Sequence, residues 1–321
     1  MKRKVTIADV AEHCHVSKSS VSRYLNDGYV SKEHREKIRK AIQELGFERD
    51  VLASRLKAKH TKLVGVIVSD MRKAGLEEML AGIRRKGDAL GYQVTIAMGE
   101  GSESWEKESM QMLLAQGAEG VILLDCENPA HLQTLVQKRH TKVVFAHHVC
   151  TYAPYLAMNE TNAGAKMGSY CLHKNAYRFL WLETDAHVGK QRRSGFASAY
   201  GAAPLDMHVI TMKDQSMNDI MKEIVTGDYD VILCDDREWT MRLYRYCQEA
   251  HIHIPQNMSL ACFHDDPWYE HAYPAVSALS YHYGAFSENL MEEMIAIIEG
   301  RAPQWQEVTY EMMERESVRS Y

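Results

Sequence analysis

Two sets of side chains in this 321-residue chain are spaced to do chemistry. The first is the stretch Ser17-Lys18-Ser19-Ser20-Val21-Ser22-Arg23-Tyr24-Leu25. Val21 and Leu25 are four residues apart and share one face of a helix. Lys18, Ser19, Ser22 and Arg23 fall away from that face, and Ser17 is a good cap for the helix start. Small hydroxyls approach phosphates closely and arginine reaches base edges, so this surface suits a DNA groove. The second set stands where strand-like segments end: Ser69 and Asp70, Asp125, His147 and His148, Asp235 and Asp236, then His264 and Asp265. Open parallel sheets bind ligands beyond the carboxyl ends of their strands. Strand ends are polar in any protein and aspartate often caps the next helix, so position alone leaves ligand contact and capping both open.

The first set needs a scaffold, and the preceding residues supply one. Thr6 can cap a helix over Ile7–His13, with Ile7, Val10 and Ala11 on its buried face. Cys14-His15-Val16 then makes a three-residue turn in which His15 suits a left-handed backbone. Two short helices so joined form a helix-turn-helix. Ser31 caps a third helix, Ile38, Ala41, Ile42 and Leu45 face the core, and Gly46 stops it. The spacing alone also fits a generic three-helix bundle with a basic solvated face.

Val5-Thr6-Ile7-Ala8-Asp9-Val10-Ala11, Val16-Ser17, Val21-Ser22-Arg23 and Leu25-Asn26 resemble the DNA-binding headpiece of the LacI/GalR repressors. Arg35-Glu36-Lys37-Ile38 and Leu45-Gly46-Phe47 extend the resemblance, which covers nearly all of residues 5–47. It implies that Lys18 and Ser19 choose the operator, that Arg23 contacts a base, and that Ser17, Ser22 and Asn26 hold phosphate. Thr6 and Ser20 complete the expected DNA-binding set within residues 1–48. Residues 49–61 correspond to the family's hinge helix, where Ala53 and Leu56 would contact DNA and Leu56 would wedge into the minor groove. Arg49-Asp50 departs from the family's usual Pro-Asn at the hinge entry. One headpiece reads too few base pairs for a genome, so a homodimer on a near-palindrome is expected. Leu76, Met79, Leu80 and Ile83 share a helix face that either supplies part of the dimer interface or only covers a sheet.

The charge distribution agrees with a nucleic-acid-binding end. Residues 1–62 carry 15 Lys and Arg against 8 Asp and Glu, whereas the whole chain has a formal charge of −5. A basic end on an acidic body points to a polyanionic partner for the end alone. The seven cysteines are scattered and form no C-x-x-C pair, which argues against a disulfide framework or a zinc ribbon and fits a reducing cytoplasm. No signal-peptide pattern or transmembrane run is present, so neither export nor a membrane partner is expected.

From Leu63 onward, strands alternate with helices, the pattern of parallel sheets covered on both faces. With the family resemblance, this implies a small all-α helix-turn-helix headpiece followed by an α/β two-lobed, periplasmic-binding-protein-like core. The resemblance continues through Val231-Ile232-Leu233-Cys234-Asp235-Asp236, Ile254-Pro255-Gln256-Asn257-Met258-Ser259, Phe263-His264-Asp265-Asp266 and Glu314-Arg315-Glu316-Ser317. It implies an N-lobe of about residues 62–158 and 282–312, and a C-lobe of about 159–281 and 313–321. Effector-binding candidates are Ser69, Asp70, Asp125, His147, Arg192, Asp235, His264 and Tyr283. Arg192 matches the family arginine that grips sugar hydroxyls, and Tyr283 falls where an aromatic ring often packs on the sugar. Asp235 stands at a usual Asn, and His147 and His264 at positions often occupied by Asp. Ala74-Gly75 replaces a common Pro-Phe, removing one stacking ring.

Exchanging carboxylates for imidazoles removes acceptors and negative charge. The expected effector is a sugar, sugar acid or sugar phosphate, and an anionic one would bind more tightly as pH falls from about 8 to about 6. His147, His148, Cys150, His264, Asp265 and Asp266 include metal-ligating types but come from different strands. No zinc-protease helix, G-x-S-x-G elbow or Walker A loop occurs, and no cofactor, metal or catalytic residue is expected. The reading is a DNA-binding transcriptional regulator, a repressor of carbohydrate-related genes. Its alternative is a sugar-binding module or metal-dependent enzyme with an incidental helical N-terminal domain.

Overall fold

The computed structural model describes residues 5–25, 28–47, 60–71, 75–99, 101–126, 128–184, 186–212 and 215–321. It separates into two compact units, residues 1–61 and 62–321. Asn26, Ala53 and Leu56 lie outside the described residues.

Among the described residues, the first unit has three helices, α1 (Ile7–His13), α2 (Lys18–Leu25) and α3 (Lys32–Leu45). Thr6 opens α1 with a reciprocal capping box: its hydroxyl accepts from Asp9 N, and Asp9 Oδ2 accepts from Thr6 N at 2.7 Å. His15 turns the chain between α1 and α2 with φ +53°, the left-handed conformation expected of it. Gly46 ends α3 at φ +60°. Val10, Ala11, Cys14, Val21, Ile38 and Ala41 form the core. Ile7, expected inside, is 38 % exposed at the first position of α1.

The second unit holds two sheets. In the first, the parallel strands β1 (Leu63–Val68), β2 (Gln93–Met98), β3 (Gly120–Leu124), β4 (Val143–Ala146) and β5 (Tyr155–Leu156) lie in the order β2-β1-β3-β4-β5. The second comprises β6 (Arg178–Glu183), β7 (Asp206–Thr211), β8 (Val231–Cys234), β9 (Ser259–Phe263), β10 (Ser277–Ser280) and β11 (Glu311–Met313). Their order is β11-β10-β9-β8-β6-β7, and only the β10–β11 pair is antiparallel. Side chains alternate between faces as strand geometry requires: Val64, Val66 and Val68 enter one core, Leu63 and Ile67 another. β1, β3, β4, β8 and β9 are buried throughout, which explains their continuous apolar runs.

The chain passes between the sheets more than once. After β10 it enters the Tyr283–Ile298 helix, which packs on the Leu76–Ala89 helix and on β3 and β4 of the first sheet. It has returned to the second sheet by β11. Leu76, Met79 and Ile83 are buried in the chain's own core and Leu80 packs against it, so this face covers the sheet and is not an exposed interface. β5, β10, β11 and the Pro267–His271 helix, absent from the sequence expectation, are two to five residues long, too short to show a period.

Candidate functional site

The candidate DNA-reading surface is the outer face of α2. Val21 is fully buried, which turns the opposite face outward: Ser17, Lys18, Ser19 and Arg23 are exposed, and Ser20 and Ser22 are half-buried. Ser17 Oγ accepts from Ser20 N at 3.1 Å and also meets the Ser19 and Ser20 hydroxyls at 2.7 and 2.9 Å. Capping therefore fixes the serines in one cluster beside the first-turn amides, a surface that favours phosphate oxygens. The Arg35 guanidinium stacks over Tyr24 and ties α3 to the back of α2. Thr6 is exposed, but its side chain is engaged in the α1 cap.

In the second unit, the residues at the strand ends divide into separate groups. Arg192, on the Ala186–Tyr200 helix, is buried at the centre of the largest group. Its Nε donates to Glu160 Oε2 at 2.7 Å, its Nη2 to His264 Nε2 at 2.7 Å, and its Nη1 lies 3.8 Å from Asp235 Oδ2. The guanidinium also lies over the Phe263 ring, 4.6 Å from its centroid. The helix carrying Arg192 and the Glu160–His173 helix approach backbone to backbone at Gly195, where a Cβ would stand 1.7 Å from Thr161 O. That close packing sets the reach from Arg192 to Glu160.

Guanidinium has donors only, so His264 must accept at Nε2 and carry its proton on Nδ1, from which it donates to Tyr283 Oη at 2.5 Å. In this arrangement the His264 imidazole accepts from Arg192 and donates to Tyr283. Protonation at Nε2 would set N–H against N–H. Tyr281 donates to Glu160 Oε2 at 3.0 Å and stacks on Tyr283 with ring centroids 5.7 Å apart. Burial pushes both phenols well above their ordinary range, which keeps them neutral donors. Burial also raises the Asp235 carboxyl to about 6, against the lowering effect of Arg192 and of the bonds from Thr184 N and Oγ1. One guanidinium thus faces two carboxylates.

Tyr283 takes the space opened at position 75. Gly75 has φ +71°, and a Cβ there would fall 1.9 Å from the Tyr283 ring. The glycine that removes one aromatic ring makes room for another.

The other candidates have their own surroundings. Ser69 donates to Glu106 Oε1. His147, at φ +69°, approaches Met79 Sδ at 3.4 Å and packs on Phe286 at 5.0 Å between ring centroids. Asp125 is buried at φ +62° within electrostatic reach of Tyr283, and Asp70 is half-buried after β1. Asp265 takes a bidentate pair from Arg315, while Asp236 and Asp266 cap helices. Sequence reasoning missed Glu160 and Tyr281. The helix begins at Glu160, three residues before the expected start, and Asn159 as its N-cap was the available signal. Among the described residues, Glu106, Cys126 and His131 form a group able to hold a metal ion.

Comparisons with known proteins agree with this anatomy. Residues 6–50 match the family of bacterial regulatory proteins, lacI family, and residues 61–249 match periplasmic binding proteins and the sugar binding domain of the LacI family. The HTH-type transcriptional regulator KdgR of Bacillus subtilis (strain 168) is 26 % identical over 99 % of this chain and 100 % of its own. The sucrose operon repressor of Staphylococcus xylosus is 24 % identical over 90 % of this chain and 93 % of its own. The crystal structure of the lac repressor dimer bound to operator and the anti-inducer ONPF superposes with a TM-score of 0.84 at 19 % identity, covering 99 % of this chain and 100 % of that one. The match of both regions, headpiece and core, means that this chain belongs to the LacI family of bacterial regulatory proteins.

Proposed function

We propose that the protein is a sequence-specific repressor that binds a near-palindromic operator as a homodimer and answers to a sugar-like effector. The observation that carries the DNA-binding reading is α2, which buries Val21 and presents Lys18, Ser19 and Arg23 outward beside a capped serine cluster. The relatives named as an operon repressor and as a transcriptional regulator support the same role. No catalytic step is assigned. Selection of operator sequences from random DNA by the intact chain is the direct test. Enrichment of a two-fold sequence is expected, and recovery of unselected DNA would favour the sugar-binding or enzyme alternative.

The cluster of Arg192, Asp235, Glu160, His264, Tyr281 and Tyr283 supports an effector site there. Two carboxylates beside one guanidinium favour hydroxyl groups over a second anion, so the preferred class is a neutral sugar rather than a sugar acid or phosphate. An incoming hydroxyl would replace the His264–Tyr283 bond, which joins the end of β9 to the helix packed on the first sheet. A thermal-shift panel of neutral sugars and their acids and phosphates tests this. A neutral sugar should raise the melting temperature by mass action, and stabilisation by the anions alone would reverse the assignment.

A further inference from the structure

We propose that Glu106, Cys126 and His131 form a buried binding site for a divalent cation of the zinc class. They come from three neighbouring pieces of the first lobe: the Glu103–Ala115 helix, the segment after β3, and the 3₁₀ turn Pro129–Leu132. Their ligating atoms all lie within 4.8 Å of one another. Cys126 Sγ is 3.2 Å and His131 Nε2 is 3.1 Å from the same oxygen, Glu106 Oε2. A tetrahedral zinc ion with ordinary bond lengths separates a sulfur and an oxygen ligand by about 3.5 Å and a nitrogen and an oxygen ligand by about 3.3 Å. The contacts found are already within a few tenths of an ångström of those edges.

The imidazole is oriented as a ligand. His131 Nδ1 lies 2.6 Å from Asn128 O, an acceptor, so Nδ1 carries a proton and Nε2 is the nitrogen turned to the cluster. Nε2 is buried with no hydrogen-bond partner among the described residues, and the His131 side chain is only 10 % exposed. With Nε2 3.1 Å from a carboxylate oxygen, a proton or a metal ion must lie between them, and the second, thiol-bearing ligand on the same oxygen suits the metal ion. Ser69 holds the other oxygen, Glu106 Oε1, which fixes the carboxylate as an outer partner would. Burial, with Glu106 beside it, pushes the Cys126 thiol up, so the metal-free cysteine is a neutral thiol and cation binding must release its proton. The buried thiol of Cys150 is within electrostatic reach of Cys126. The ligand types suit zinc rather than magnesium or calcium, which favour all-oxygen sites. Such an ion would staple the segment after β3 to the Glu103–Ala115 helix.

The experiment uses the untagged, reduced, full-length chain and Co2+ as a spectroscopic probe, with Zn2+ as competitor. One equivalent of Co2+ should produce thiolate-to-cobalt charge transfer that Zn2+ abolishes. Cys126→Ser should remove the band, and His131→Ala should weaken affinity by more than roughly 100-fold, the upper range for outer-shell changes alone. The wild-type melting temperature should rise with Zn2+ concentration, a reading that needs no variant to fold. Absence of charge transfer in the folded wild type would overturn the proposal, as would a band undiminished in Cys126→Ser. Multi-equivalent binding that neither substitution alters would overturn it too, by showing that the cation sits on surface histidines.

Discussion

Asp235 lies 3.8 Å from the Arg192 guanidinium, yet its carboxyl is raised from 3.8 to about 6 because burial outweighs the attraction. Between those values the folded chain binds the proton more readily than the unfolded one. Stability therefore falls as pH rises through that window, and the full cost is present above it. Asp235→Asn keeps an oxygen for the Thr184 bonds and removes the buried charge. It should stabilise the protein on the order of 1–3 kcal/mol at pH 8 and by almost nothing near pH 4, measured by urea unfolding at each pH. A less stable variant at pH 8 would mean that the Arg192 attraction exceeds the desolvation cost. Arg23 poses a question of specificity instead. It stands exposed on α2, and a bidentate guanine contact is worth about 1–3 kcal/mol of discrimination. Arg23→Ala should weaken the selected operator about 10- to 100-fold while leaving random DNA nearly unchanged. Equal losses in a competition binding assay would reduce Arg23 to a phosphate contact.

At the scale of elements, the two helices that present Glu160 and Arg192 approach as closely as they do because Gly195 has no side chain. Gly195→Val would drive methyl groups into Thr161 O and push the helices apart, costing about 1–3 kcal/mol or more by overpacking. The Arg192–Glu160 bond should lengthen with it. Effector-induced stabilisation should then vanish in the thermal-shift assay while operator binding by the headpiece persists. Retained effector response would show that the helix pair tolerates separation. Much of this framework was legible in the sequence, since buried parallel strands read as continuous apolar runs and the headpiece announced its caps and its left-handed His15. Arg192, Asp235, His264 and Tyr283, named from strand ends and from family resemblance, do meet in space. Glu160 and Tyr281 were missed for opposite reasons: one lies in a first helical turn before the apolar period begins, the other in a two-residue crossing between β10 and a helix. Ser69 and His147 obey the strand-end rule but turn toward Glu106 and Met79, a choice made by side-chain packing that no linear pattern records.

At the scale of the whole molecule, the proposed dimer needs a surface, and the buried face of the first core helix is already occupied. Leu76, Met79 and Ile83 are consumed by the chain's own core. Two of the first lobe's exposed apolar residues share one face of the edge strand β2, where Ile96 and Met98 are each 42 % exposed. An uncovered edge with outward apolar side chains invites pairing, and a second copy of this chain offers the same edge, as a two-fold interface requires. Placing a lysine at both positions should oppose that pairing through repulsion and desolvation without touching the core. The Ile96→Lys/Met98→Lys protein should sediment as a folded monomer at micromolar concentration. Its operator affinity should fall steeply, because each half-site contact would then be made independently rather than as a linked pair. Sedimentation combined with operator titration separates the two claims. A double variant that remains dimeric places the interface elsewhere, and a monomer that still binds the full operator tightly refutes the need for pairing.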